Sequence, residues 1–199
     1  MSSSRSLDQL IKSLTCLPGV GQKSAQRMAL HLIERDREGA QQLQMSIVGA
    51  LETIQHCESC RNFSDEPKCK ICENPARVNG ILCVVETPTD VIAIESSGAY
   101  SGRYFVLLGR LSPLDGFGPE QLGLDLLERS LVENSIEEVI LATSATVEGD
   151  LTARVVSDLA SRHAIKSSRL ARGIPLGGEL EFVDSGTLSR ALSGRQQYE

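Results

Sequence analysis

Four cysteines carry the strongest chemical signal in this 199-residue chain. Cys57, Cys60, Cys69 and Cys72 lie in CESCRNFSDEPKCKIC, a C-x2-C-x8-C-x2-C pattern. Two such hairpins can present four thiolates to one tetrahedral Zn2+. Four protein ligands leave no open position, so the zinc is expected to be structural. Its binding would help fold a segment too small to have a core of its own. Redox-active C-x2-C pairs are the competing reading. Cys16 and Cys83 adjoin apolar residues and are expected in the core. His56 adjoins Cys57 and is expected at the surface, not as a fifth ligand.

The second signal is LPGVGQKSAQRMALHLI. Gly19 and Gly21 permit a tight turn between two helices and leave no Cβ between the backbone N–H groups and a partner. The helix after the turn points its positive dipole end outward, a ready site for an anion. Lys23 and Arg27 follow at i, i+4 on its polar face. A DNA phosphate fits this arrangement, without sequence preference. The plain alternative is a helical hairpin with a solvated basic face. GVGQKS is no P-loop, because Gln22 separates the glycine from Lys23.

The third signal is Glu86, which ends ILCVVE, together with the loop in LATSATVEGD (141–150). In a parallel sheet both lie at the carboxyl edge, where α/β proteins place their chemistry. Asp90 follows one turn into the next helix. A divalent-metal site is one reading, and a polar rim that meets a partner is the other. Mg2+ wants hard anionic oxygens. This loop supplies Ser144 and Thr146 before Glu148, so the cage is weak and no catalytic residue is assigned. LEFVD, ending at Asp184, has the form of a Walker-B strand but lacks a P-loop to serve, and is read as structural. Tyr100, Tyr104 and Tyr198 have no activating neighbours in sequence.

Particular elements must position these groups. Ser6 and Gln9 suggest a capping box for a helix carrying Leu7, Leu10, Ile11 and Leu14. A second helix puts Ala25, Met28, Ala29, Leu32 and Ile33 on one face. A third, from about 41 to 55, aligns Leu43, Ile47, Leu51 and Ile54. From residue 81 the pattern changes. ILCVVE, YFVLLG and EEVILAT are apolar runs of strand length, separated by helices, including one from about 119 to 134 and GDLTARVVSDLASRH. The result is an α/β class: N-terminal helix-hairpin-helix, a small four-cysteine zinc module, a parallel sheet with flanking helices, and a short C-terminal element. The expected domains are 1–56, 57–72, 80–176 and 177–199, the last a strand and helix.

Net charge is −6 and there is no tryptophan, which by itself disfavours a strong nucleic-acid binder. The charge is uneven. Residues 1–56 carry six Lys/Arg against five Asp/Glu, and 81–199 carry ten against seventeen. A polyanion would therefore meet the N-terminal part. With no apolar run of membrane-span length and no signal-peptide pattern near the start, a cytoplasmic protein is expected.

A helical hairpin, four cysteines, an α/β part opening with VVE and carrying TVEGD, then RLARGIPLGGELEFVD: in this order the chain resembles the RecR family of bacterial recombination mediators over nearly its whole length. The α/β part resembles a Toprim domain, the fold of type IA topoisomerases, primases and some nucleases. Catalytic Toprim domains pair a Glu after the first strand with a D-x-D loop. Glu86 matches the first, while Ser144 and Thr146 fall where the aspartates belong. RecR proteins often show Asn-Pro-Thr there, so Ser-Ala-Thr is a further departure.

The resemblance implies a non-enzymatic protein, nucleoid-associated, that binds single- and double-stranded DNA at gaps. It would help load recombinase on single strands covered by single-strand-binding protein, with RecO and RecF as partners. It also implies a ring-shaped homotetramer lined by Lys23 and Arg27, with the 177–199 element serving oligomerisation and residues 169–184 helping to close the subunit interface. Glu86, Asp90 and Glu148 would form an acidic edge for a basic partner. The alternatives are a Mg2+-dependent nuclease or topoisomerase-like enzyme, and an adaptor with no DNA contact.

Overall fold

Ser4, not Ser6, opens the first helix. In the computed structural model, which describes residues 4–112, 116–171 and 173–195, Ser4 Oγ accepts from Leu7 N at 3.4 Å and α1 runs Arg5–Leu14. Arg5 is a good helix former, so the helix extends back to the next available hydroxyl cap. Gly19 turns the chain with φ +78°, and α2 follows as Gln22–Glu34. The third helix, α3, is Arg37–Thr53 and starts earlier than its apolar stripe suggests. Asp36 sets that start by accepting from Gly39 N at 2.8 Å.

These helices form one of two units, Met1–Ile54 and Gln55–Glu199. The core of the first is small: Ile11, Ala25 and Ala29, flanked by Leu7, Leu10, Leu14 and Val20. Two alanines at i, i+4 let α1 lie close on α2. Beyond that, the pattern misleads. Met28 and Ile33 are exposed, and so is Cys16, which stands on the surface rather than in the core. The stripe of α3 is uncovered: Leu43, Ile47, Leu51 and Ile54 are 45–81% exposed. Periodicity marks an apolar face, but not what covers it.

The second unit begins with a two-stranded antiparallel ribbon, β1 (Gln55–His56) and β2 (Phe63–Ser64), and a single helical turn, α4 (Lys70–Glu73). A four-stranded sheet follows, from β3 (Ile81–Val85), β4 (Arg103–Val106), β5 (Glu138–Ala142) and β6 (Lys166–Arg169). Its order is β4-β3-β5-β6 and every pair is parallel. Side chains alternate between two buried faces. Leu82, Val84, Phe105 and Val139 pack with Leu127, Leu131 and Val156 on one side. Cys83, Val85, Tyr104 and Val106 pack with Val91 on the other. Burial pushes the Cys83 thiol up to about 12, so it stays neutral as a core residue should.

The connecting helices are α5 (Pro88–Ser97), α6 (Pro119–Leu122), α7 (Leu124–Glu133), α8 (Val147–Arg162) and α9 (Ser185–Ser193). The single helix expected over 119–134 is two, broken at Gly123, whose φ of +67° no continuous helix accepts. LEFVD is not a strand. Leu180–Phe182 forms a 3₁₀ turn with Phe182 80% exposed, and Asp184 caps α9 by accepting from Thr187 N at 2.9 Å and Oγ1 at 2.6 Å. An apolar run with nothing to pair against does not make a strand.

A half-buried polar cluster fastens residue 77 to the second sheet face. Arg77 forks onto both oxygens of Glu95 and donates to Tyr100 O and Gly102 O at 3.3 Å each. Tyr104 Oη donates to Glu95 at 2.7 Å. The Arg77 guanidinium holds the Glu95 carboxyl below the usual range. Such a group contributes stability that is complete above its unfolded pKa of about 4.3 and lost as pH falls through the folded value. The Arg77 and Glu95 side chains are 13% and 29% exposed. Glu95→Gln is therefore expected to cost about 2–3 kcal/mol at pH 7, near the low end for breaking a buried pair. The gap to wild type should shrink below pH ~4, as urea titrations at pH 7 and pH 3 would measure.

Candidate metal centre and nucleic-acid interface

The four cysteines converge. Their Sγ atoms all lie within 4.8 Å of one another, with Cys57, Cys60 and Cys69 buried and Cys72 half-buried. A tetrahedral zinc with Zn–S near 2.3 Å needs sulfurs roughly 3.8 Å apart, so this set is nearly at ligand spacing. The first knuckle is built by backbone bonds: Cys57 N donates to Asn62 O and Arg61 N to Cys57 O, both at 2.8 Å. Cys69 N donates to Cys57 Sγ at 3.3 Å, and the Cys60 and Cys69 sulfurs are 3.5 Å apart. Hydrogen bonding from Cys60 pulls the Cys69 thiol down, while the same contact pushes Cys60 up. A divalent cation replaces that sharing of protons with four thiolates. His56 is exposed, 3.0 Å from Arg61 O through Nδ1 and stacked on Phe63, outside the ligand set as expected.

The turn before α2 is arranged for an anion. Gly21 is the N-cap, extended at φ −81°, and among the described residues no side chain caps the start of α2. A Cβ at Gly19 or Gly21 would meet nothing within 4 Å, so the approach is open. Lys23 and Arg27 line a groove of about 570 Å3 along the same helix, with His31, Glu34 and Arg35 farther on. His31 and Arg35 extend the i+4 row from Lys23 and Arg27. The same spacing that picks out Lys23 and Arg27 in the sequence reaches both.

At the carboxyl edge of the sheet, Glu86 and the loop after β5 meet. Glu86 is only 7% exposed. Its Oε1 accepts from both Ser144 N and Ser144 Oγ at 2.9 Å, and Arg110 Nη1 stands 3.9 Å from Oε2. Ser144 Oγ is 2.9 Å from Thr146 Oγ1, which caps α8 by accepting from Gly149 N at 3.1 Å. Arg169 ties the loop from the other side, reaching Ser144 O at 3.3 Å and Asp150 at 2.5 Å. Where a metal cage would have open carboxylates, one buried carboxylate is latched by a serine. Asp90 is engaged elsewhere: with Thr87 it forms the capping box of α5, accepting from Thr87 N at 2.8 Å and Oγ1 at 2.9 Å. Glu148 is half-buried in the first turn of α8. Arg110 carries no motif, and Arg169, which opens RLARGIPLGGELEFVD, was expected at a subunit interface rather than on this loop. Burial pushes the Tyr100 and Tyr104 phenols up, the opposite of nucleophile activation; Tyr198 lies outside the described residues.

Four known families match successive segments of the chain. Residues 7–51 match the RecR helix-hairpin-helix family and residues 54–74 the RecR four-cysteine zinc finger domain. Residues 80–171 match the Toprim domain and 173–196 the RecR C-terminal family. The Recombination protein RecR of Saccharophagus degradans is 57% identical over 191 residues, covering 96% of this chain and 97% of that protein. The chain belongs to the RecR family. The four cysteines all fall in the segment that the family describes as a four-cysteine zinc finger, so the metal is a structural zinc. Gly19, Gly21, Lys23 and Arg27 fall in the family's helix-hairpin-helix segment, and Glu86, Ser144 and Glu148 in its Toprim segment. Among the described residues no helix is long and apolar enough to cross a membrane.

The RecR Toprim loop in this chain depends on one glycine. A Cβ at Gly149 would sit 2.3 Å from Ser144 O and 2.4 Å from Ser144 Oγ. Helix propensity alone favours Gly149→Ala by up to ~1 kcal/mol. The collision with backbone outweighs it, because relieving it means moving the loop that latches Glu86. A net loss of about 1–3 kcal/mol is expected in urea titration.

Proposed function

We propose that this RecR-family protein is a DNA-binding mediator of recombination and repair with no catalytic activity of its own. It acts at gaps, on single- and double-stranded DNA, with RecO and RecF, and helps load recombinase on the exposed strand. The observation that carries the non-catalytic reading is the state of Glu86. Among the described residues it is the one buried carboxylate at the Toprim edge, held by Ser144 and facing Arg110. The loop offers hydroxyls where metal-dependent chemistry requires carboxylates.

DNA binding in this reading belongs to the hairpin, where an uncapped helix start adjoins Lys23 and Arg27. A pair of cations is modest for one chain. Four copies on a ring sum their phosphate contacts, giving weak single-site binding that becomes useful through multiplicity. The uncovered stripe of α3 supports such assembly, as do Leu176, Leu180, Phe182 and Leu192, all exposed near the C-terminus. Residues 169–184 and the last helix would close contacts between subunits. The acidic Toprim rim would receive a basic partner, RecO, through Asp90 and Glu148, while the buried Glu86 braces the rim through Ser144. A cytoplasmic, nucleoid-associated location follows from these roles.

The test combines binding and fate of the DNA. The protein is incubated with a gapped duplex in Mg2+ at low salt, resolved on a native gel, and the DNA recovered on a denaturing gel. Retarded but intact DNA is the expected result. Cut DNA, or relaxation of a supercoiled plasmid run in parallel, would establish the Mg2+-dependent enzyme instead, and no retardation at low salt would establish an adaptor.

A further inference from the structure

The zinc knuckle does more than fold itself. β4 lies at one edge of the sheet, paired with β3 on its inner side only. Its outward Val106 N–H donates to Cys60 O at 2.8 Å. The group that covers the strand's edge is thus the carbonyl of a zinc ligand. The next residue, Arg61, is held at φ +63°. Its guanidinium lies over the buried Phe105 ring of β4, 5.6 Å from the centroid. It also donates to Leu122 O, and to Gln121 O at 3.4 Å, the free carbonyls at the end of α6. Gly123 makes the room, since a Cβ there would fall 2.4 Å from Arg61 Nη1. Ile71, between the other two ligands in sequence, packs against both the cysteine cluster and the sheet face of Cys83 and Val106.

Every one of these contacts starts on or between metal ligands. A left-handed arginine costs about 1 kcal/mol or more unless its surroundings hold it. Here the holding comes from the knuckle turn that Cys57 and Cys60 close around the metal. Without zinc the segment has little reason to keep that turn. Cys60 O and the Arg61 fork would then leave their places together. Val106 N–H, the α6 carbonyls and the edge of β4 would lose their partners at once.

We propose that the loaded zinc knuckle is the edge cover of the Toprim sheet, with Arg61 as the positioning residue that locks it there. Metal loss then exposes the β4 edge, a surface able to pair with a strand of another chain.

Hydrogen exchange on the full chain tests this, read by mass spectrometry for wild type with zinc, wild type after chelation, and Arg61→Ala with zinc. Zinc content is measured alongside with a chromophoric chelator. Arg61→Ala is expected to keep its zinc. Peptides covering 103–107 and 119–124 should nevertheless exchange on the order of ten-fold faster, as for an opening locally eased, with β5 and α8 still protected. Chelated wild type should lose protection over the same peptides. If chelation unfolds the whole unit, the Arg61→Ala arm decides alone. Wild-type exchange at 103–107 in zinc-loaded Arg61→Ala would overturn the proposal. So would loss of zinc from that variant, which would put Arg61 in building the metal site rather than in locking it to the sheet.

Discussion

Replacing Cys60 by Ser is expected to empty the zinc site and to cost this protein much of its stability. A neutral hydroxyl is a poor substitute for a thiolate, and three remaining sulfurs bind zinc far more weakly than four. Structural zinc sites of this type are worth about 10–16 kcal/mol of apparent binding free energy at neutral pH. A whole domain has only about 5–15 kcal/mol to lose. The substituted side chain is buried, and its backbone carbonyl holds Val106 of the sheet. Damage should therefore spread past residues 57–72. Zinc content should fall from one per chain to nearly none. Even a loss of ~5 kcal/mol would lower Tm by about 10–20 °C in a chain of this size. Metal release assays and thermal melts, with wild type chelated as the control, give both numbers. A variant that still carries one zinc and melts with wild type would mean that the four sulfurs are not the ligand set.

Reversing the charge at both Lys23 and Arg27 is expected to abolish most DNA binding without disturbing the fold. Both residues are exposed on α2, and neither belongs to the core of Ile11, Ala25 and Ala29. Each cation on a phosphate contributes about 0.9 to the slope of log affinity against log salt on duplex DNA. Two per chain on a ring of four would make that slope steep, and their reversal adds repulsion. At moderate salt, affinity for gapped DNA should fall on the order of 100-fold or more. The residual binding should depend less on salt. Gel shifts across a salt series, with circular dichroism to check helicity, would decide. Undiminished binding with an unchanged slope would move the DNA site away from the hairpin.

What the sequence made legible was chemistry fixed by short spacing. The C-x2-C pairs, the Gly-turn before a helix with Lys23 and Arg27, and the three apolar strands all depend on residues near one another in the chain. The missed parts depend on neighbours that are not. β6 reads Lys-Ser-Ser-Arg and has no apolar run, because it sits at the sheet's edge with its side chains largely outside the core. LEFVD has the apolar run and no strand to pair with. The stripe on α3 was visible as a face, and its exposure was not, since periodicity is silent on what covers it. Glu86 and Ser144 were placed on one edge by pattern alone, but the latch between them spans 58 positions. Arg110 and Arg61 act through contacts that no local motif announces.

The order of the sheet also bears on how the chain is made. β3 is the first of its strands to be synthesised, and both of its partners come later. Leu82 pairs with Arg103 on β4 and Val139 on β5. At about 5–20 residues per second, the apolar segment ILCVV waits roughly 1–4 s for β4 and several seconds more for β5. During that interval it is a naked, aggregation-prone segment. The knuckle, translated just before it, can close on zinc with no help from the sheet. A nascent chain starved of metal would lack the folded piece that adjoins β3, so zinc supply during translation should govern the soluble yield of this protein.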